Sequence, residues 1–306
     1  MKAQEIIEKI VSQIVAELER GALPWCKPWT SKGGDSAIFW GFALPLRVTG
    51  EAYRGINILA LWSAAQTFGH RSRYWMTYKQ AEALKGQVRK GEKATGIIYA
   101  DKVTKEDTNA EGETVEKSYA FLKAYAVFNA DQIEGLPEKF YAKEGEQVLT
   151  PAPAETVEIP GAEWLANIPA VIRHGGGRAY FSPAADFVQM PVPEDFKAPL
   201  NYTSTLIHEL THWTGHKSRL DRLAFKKWGD DAYAFEELVA ELGAAFGCAH
   251  LGFVPAIRED HAPYIAGWIK QLKNDPRALV NAAAQASKAL DYLDAFQAAE
   301  TVKEAA

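Results

Sequence analysis

Cysteine is nearly missing from this 306-residue chain: Cys26 and Cys248 are its only two, and no CxxC spacing occurs. That excludes a disulfide framework and points to a reducing, cytoplasmic setting. No apolar run reaches the 18 or so residues that span a bilayer, so no membrane partner is expected. Residues 2–20 are interrupted by charge throughout and lack a small-residue cleavage site, unlike a signal peptide. There is no P-loop, no GxSxG and no GxGxxG opening a helix, which removes the usual signs of nucleotide and serine-hydrolase chemistry. Internal repeats and long low-complexity tracts are missing too.

What is present is ordinary globular composition, 47% hydrophobic and 24% charged. The length predicts two domains. The net charge of −5 conceals an asymmetry. Residues 1–130 carry 18 basic and 14 acidic side chains, and the remainder 16 and 25. Between 40 and 100 the balance is nine basic to three acidic, so a polyanion partner belongs with the first half.

Ile, Val or Leu occupies 6, 7, 10, 11, 14, 15 and 18, the stripe of an amphipathic helix that Gly21 and Pro24 end. Residues 55–67 read as a second helix and 74–77 as extended, with Thr77 placed to cap a short helix over 78–85. Two strand-like stretches, 95–104 and 118–128, flank a charged hairpin loop. The Pro- and Glu-rich stretch up to residue 160 reads as a solvated linker. Beyond it, strand-like pieces at 178–182 and 186–190 precede helices at 199–215, 231–251, 258–272 and 277–298. The expected fold is α+β, with a first domain at 1–138, a linker at 139–160 and a mainly helical second domain with a small sheet at 161–306.

His208-Glu209-Leu210-Thr211-His212 forms an HExxH motif within the helix expected at 199–215. Residues four apart share a helix face, so both imidazoles can reach one divalent metal ion, with zinc the first expectation. Glu209 is then placed as the general base for a water that the metal acidifies. A third ligand is needed. His216 is one candidate if Gly215 breaks the helix. The alternative, which we favour, is Glu237 on the next long helix, with Glu241 four residues later orienting a ligand histidine as in gluzincin-type peptidases. His261 and Tyr264 are candidates to donate to an oxyanion. His250 reads as structural, and His174-Gly175-Gly176-Gly177 as a glycine turn.

Eleven aromatics fall between residues 25 and 78, interleaved with cations. Bases stack on rings while Lys and Arg neutralise phosphates, so this is the composition of a single-stranded DNA surface. The candidate contacts are Trp25, Arg54, Trp62, Arg71, Arg73, Trp75, Lys79, Arg89, Lys90 and Lys93.

Several segments resemble one family in order. They are Pro24-Trp25-Cys26-Lys27-Pro28-Trp29, Thr49-Gly50-Glu51-Ala52-Tyr53-Arg54-Gly55-Ile56-Asn57, Trp75-Met76-Thr77-Tyr78-Lys79-Gln80-Ala81, Val88-Arg89-Lys90-Gly91-Glu92 and Val127-Phe128-Asn129-Ala130-Asp131-Gln132. Together they resemble the N-terminal domain of the ArdC-type antirestriction proteins of conjugative plasmids. His208 to His216 is similar to the zincin-like metallopeptidase domain that follows it in that family. One departure is Leu44-Pro45-Leu46-Arg47, where the family pattern is more polar. The resemblance implies single-stranded DNA binding, protection of incoming plasmid DNA against restriction, and a metal-binding fold. A protein substrate or a restriction-system component is a further expected partner. The rival expectations are a DNA-recruited zinc endopeptidase and a single-strand-binding accessory of replication or priming.

Overall fold

The computed structural model describes residues 2–25, 43–108, 114–142, 159–223, 231–254 and 262–297. Helix α1 runs Ala3–Glu19 and buries the whole predicted stripe, Ile6 to Leu18. Helix α2, Ile56–Phe68, ends on left-handed Gly69. Strand β1 is Trp75–Met76. It leads into α3, Tyr78–Ala83, where Thr77 accepts from the Gln80 backbone N–H and the Gln80 side chain reaches back.

The two expected strands form a longer hairpin than their apolar stretches suggest. Strand β3 is Thr95–Thr108 and β4 is Thr114–Asn129, paired antiparallel from Thr95↔Val127 out to Thr108↔Thr114. With β1 they make a three-stranded sheet in the order β1-β4-β3. Strands β2, Gln87–Val88, and β5, Ile133–Glu134, pair separately. Phe140 is fully buried with Met76 and Ile133, so the first domain continues into the stretch predicted as linker. The rest of that linker, 143–158, lies outside the described residues.

The second region opens with α4, Ala162–Ala166. Strands β6, Ile172–His174, β7, Tyr180–Ser182, and β8, Phe187–Met190, form a sheet in the order β6-β8-β7. Strand β6 pairs parallel to β8. Its pattern is short and half exposed, with no alternation to announce it. Helix α5, Pro199–Thr214, takes Pro199 in its first turn. Helices α6, Asp231–His250, α7, Ala262–Asn274, and α8, Arg277–Asp294, complete the region.

The two-domain, α+β arrangement is joined by a shared core. One cluster unites the α1 stripe and α2 with Leu238, Leu242 and Phe246 of α6, Trp268 of α7 and Leu279 of α8. Trp25 meets Trp268 edge-on at 6.0 Å and Trp62 meets Phe246 at 5.8 Å. At the rim, Gly55 N–H donates to Ser287 Oγ, and Arg54 pairs with Asp291.

Candidate metal centre and nucleic-acid surface

Close packing of α5 on α6 builds the centre. A methyl group at Gly243 would lie 2.4 Å from Thr211 Oγ1, and one at Gly247 would lie 2.7 Å from Ile207 Cγ2. Only glycine lets the two backbones approach this closely at successive turns. Thr211 spends its hydroxyl on the Ile207 carbonyl, 2.8 Å away, so no polar group is stranded at the contact.

That approach brings His208, His212 and Glu237 together, with one ligand atom from each lying within 4.8 Å of the others. The two Nε2 atoms are 3.2 Å apart. Glu237 faces both, Oε2 at 3.6 Å from His208 Nε2 and Oε1 at 3.5 Å from His212 Nε2. The other ring nitrogens are held from behind. His208 Nδ1 lies 3.0 Å from Glu241 Oε1, and His212 Nδ1 lies 3.1 Å from Glu236 Oε1. The hydrogen bond to Glu236 fixes the tautomer that aims His212 Nε2 inward, and the Glu241 carboxylate stands at ion-pair distance behind His208. Two ligands about 2.0–2.1 Å from one tetrahedral ion sit roughly 3.3 Å apart. The residues present therefore fit a divalent cation.

Electrostatics follow the same geometry. Burial works against a charged His212, but hydrogen bonds and charge from Glu236 and Glu237 outweigh it and raise its pKa to about 10. Burial likewise disfavours the Glu237 carboxylate, yet the two histidines hold it well below the usual range. Glu236 is also held low against its burial, by His212 and by Arg222. Arg222 grips Glu236 through Nε to Oε2 at 2.8 Å and Nη2 to Oε1 at 2.9 Å. Its other end donates to Thr214 Oγ1.

Glu209 follows His208 on α5 and is 3% exposed. His216 lies beyond the helix, with Nδ1 2.7 Å from Ser218 Oγ, and is not part of the ligand cluster. Tyr264 stacks on Trp268, and its hydroxyl is 3.3 Å from that of Tyr233. Tyr233 in turn hydrogen-bonds Glu237, and burial followed by these partners pushes its pKa up. His261 lies outside the described residues. His250 pairs with Asp294, and His174 with Tyr202, both away from the centre.

Sequence reasoning missed Glu236, Arg222 and Tyr233. A signal for Glu236 was present: α6 is apolar on nearly every side, which leaves no solvated face for a glutamate. A carboxylate there must be partnered.

The first region corrects three of the predicted DNA contacts. Trp25, Trp62 and Trp75 are 0%, 8% and 2% exposed and belong to the cores. A base cannot stack on a ring whose faces are already packed. Trp62 also donates Nε1–H to the Ala43 carbonyl at 3.0 Å. Among the cations, Arg54 pairs with Asp291, Arg73 donates to the Leu44 carbonyl, and Arg89 pairs with Glu92 at 2.7 Å. Arg71, Lys79, Lys90 and Lys93 are exposed. Among the described residues no helix is long and apolar enough to cross a membrane.

Residues 4–128 match the model of the N-terminal domain of anti-restriction factor ArdC, and residues 161–285 match a zincin-like metallopeptidase. The chain is 38% identical over 300 residues to the uncharacterized protein y4eC of Sinorhizobium fredii (strain NBRC 101917 / NGR234), covering 96% of this chain and 92% of that one. It is 38% identical over 311 residues to a DNA primase TraC of Escherichia coli, of which it spans only 27%. The crystal structure of the antirestriction ArdC protein from plasmid R388 superposes in its metal-free form with a TM-score of 0.77 at 41% identity, covering 95% of this chain and 97% of that one. The Mn(II)-bound form of the same protein gives 0.73 at 39% identity, with the same coverage.

Proposed function

The chain belongs to the ArdC antirestriction family, and from that premise we propose that it binds single-stranded DNA through its first region and protects incoming plasmid DNA from host restriction. The carrying observation is the likeness to the R388 antirestriction protein across both domains. Exposed cations and the basic stretch at 40–100 support DNA as the partner. Anisotropy of a labelled single strand, with duplex competitor and a salt titration, tests this. The expected result is preference for single strands and a log–log salt slope of roughly −0.7 per phosphate contact. Weak, salt-insensitive binding would overturn it.

The second region holds a divalent cation on His208, His212 and Glu237, and zinc suits a donor set of two imidazoles and a carboxylate. A cation there supplies Lewis acidity and lowers the pKa of a water. Glu241 and Glu236 keep both imidazoles aimed at it. Glu209, one residue from a ligand, is placed to take the water's proton and pass it to a leaving amine. This complete arrangement favours a second reading, a DNA-recruited endopeptidase acting on a protein substrate. Glu209→Gln should lower any peptidase rate at least about 100-fold and leave DNA affinity unchanged. Proteolysis that survives the substitution would remove Glu209 from that role.

A further inference from the structure

With Trp25, Trp62 and Trp75 packed inside, the exposed rings among the described residues of the first region are Phe68, Tyr78, Tyr99 and Tyr125, and the last two stand together. Tyr99 and Tyr125 are 46% and 44% exposed and meet edge-on at 6.1 Å on the β3–β4 hairpin. Below them, Ile97 and Val127 are buried against Leu61, Ala64 and Ala65 of α2, so the sheet leaves the body of the molecule at this point. The root is pinned. Asn57 of α2 donates to the Ile98 carbonyl at 2.7 Å and accepts from the Ile98 N–H at 2.8 Å. Tyr99 lies one residue further out than Ile98, and Tyr125, opposite Ile97, one residue nearer the body, so both rings stand on a fixed base.

The register sorts the hairpin into two alternating sets, because directly opposed residues share a face and successive pairs swap it. One set contains Ile97↔Tyr125, Tyr99↔Lys123, Asp101↔Phe121, Val103↔Tyr119 and Lys105↔Lys117, and then Asp107↔Val115. Its described side chains include three aromatics, Tyr99, Phe121 and Tyr125, and one lysine, Lys123, with no acidic residue. The other set includes Ala100↔Leu122, Lys102↔Ala120, Thr104↔Ser118 and Glu106↔Glu116. Its described side chains, Ile98, Ala100, Leu122, Ala124 and Ala126, include no aromatic or charged residue. Lys123 already lies over a ring, with Nζ 5.0 Å from the centre of Phe121.

We infer that the face of the hairpin carrying Tyr99, Tyr125, Phe121 and Lys123 is where the bases of single-stranded DNA stack. The inference rests on the single-strand reading above and supplies its surface. Phe121, Tyr99 opposite Lys123, and Tyr125 put one ring at each of three successive same-face pairs, about 6.6–6.8 Å apart along the hairpin, and offer successive stacking positions to an extended chain. Lys123 on the same face meets its phosphates. Lys123 is the charged residue among the described side chains of this face, so a polyanion is its electrostatic complement.

The test compares the full-length protein with a Tyr99→Ala/Tyr125→Ala double variant, using a fluorescent oligothymidylate. Metal content and thermal unfolding confirm equal folding. The double variant should bind at least about tenfold more weakly. Tyr99→Phe/Tyr125→Phe should bind within twofold of wild type, since the ring rather than the hydroxyl stacks. Leu122→Ala, in the other set, should also stay within about twofold. Lys123→Gln should reduce the salt slope by roughly 0.7. Wild-type protein that fails to bind the oligonucleotide defeats the single-strand reading, and the surface with it. Wild-type binding that the double alanine variant fully retains defeats the surface alone and leaves the face to a protein partner.

Discussion

Helices α5 and α6 bury His208, Glu209, Glu236, Glu237 and Glu241, each 7% exposed or less, while the hairpin leaves nearly half of Tyr99 and Tyr125 in solvent. Each region puts its chemistry where its residue types are least at home. Charged side chains enter a protein interior only when paired, so a buried cluster of them marks a site that something must balance. Aromatic rings enter the interior by default, so those left outside on a pinned hairpin mark a surface with a use. Trp25, Trp62 and Trp268 show the default: they join the two regions into one core and are unavailable to a ligand.

The sharpest way to break this comparison is to exchange buried and exposed rings. Trp62→Ala removes a ring packed on Phe246 and its hydrogen bond to Ala43. It should destabilise the protein by about 3–5 kcal/mol in denaturant titrations. Tyr99→Ala/Tyr125→Ala should change stability by less than about 0.5 kcal/mol per site. Equal stability losses for the two variants would mean that the hairpin rings are core and not surface.

The same contrast explains what the sequence made legible. HExxH is a local pattern on one helix, so α5 and its two histidines could be placed before folding was known. Glu237 and Glu241 were reachable because ligand and orienting carboxylate follow helical spacing. Arg222 was not, since it lies 14 residues before Glu236 in a turn whose path depends on tertiary packing. Among the aromatics, composition counted rings but not burial, and burial is a property of the joined core. The hairpin strands were visible at 95–104 and 118–128, yet their pairing was not. A slip of one residue would move every ring to the opposite face, and only the folded register decides it.

A smaller effect sharpens the metal-centre side. Glu236→Gln keeps the shape of the side chain but removes the charge that orients His212 and balances Arg222. Metal affinity, measured by competition with a chromogenic chelator, should fall 10–100-fold. An unchanged affinity would reduce Glu236 to a packing role and make the buried cluster less cooperative than the geometry indicates.

The smallest effect is a slope, and its sign is the informative part. After chelation, His212 keeps its proton in the folded protein up to about pH 10, whereas an unfolded histidine releases it near 6.5. The folded state then binds more protons than the unfolded state between these values. Stability of the chelated protein should therefore be fully supported below pH 6.5 and decline above it, by at most about 1.4 kcal/mol per pH unit. With metal restored, the cation replaces that proton, so the decline should vanish and metal affinity should rise with pH. Glu236 and Glu237, held low, act at the other end: their contribution is present above about pH 4.5 and lost as acid protonates them. Burial also pushes Cys248 and Tyr53 up to about 12, so they begin to count as the unfolded thiol and phenol titrate, near 9 and 10, and denaturant titrations from pH 6.5 to 7.5 stay below that range. Parallel slopes with and without metal would show that His212 does not exchange its proton for the cation. The first region is the internal control, because the stacking variants on the hairpin touch no group of this centre and should leave both slopes where they are.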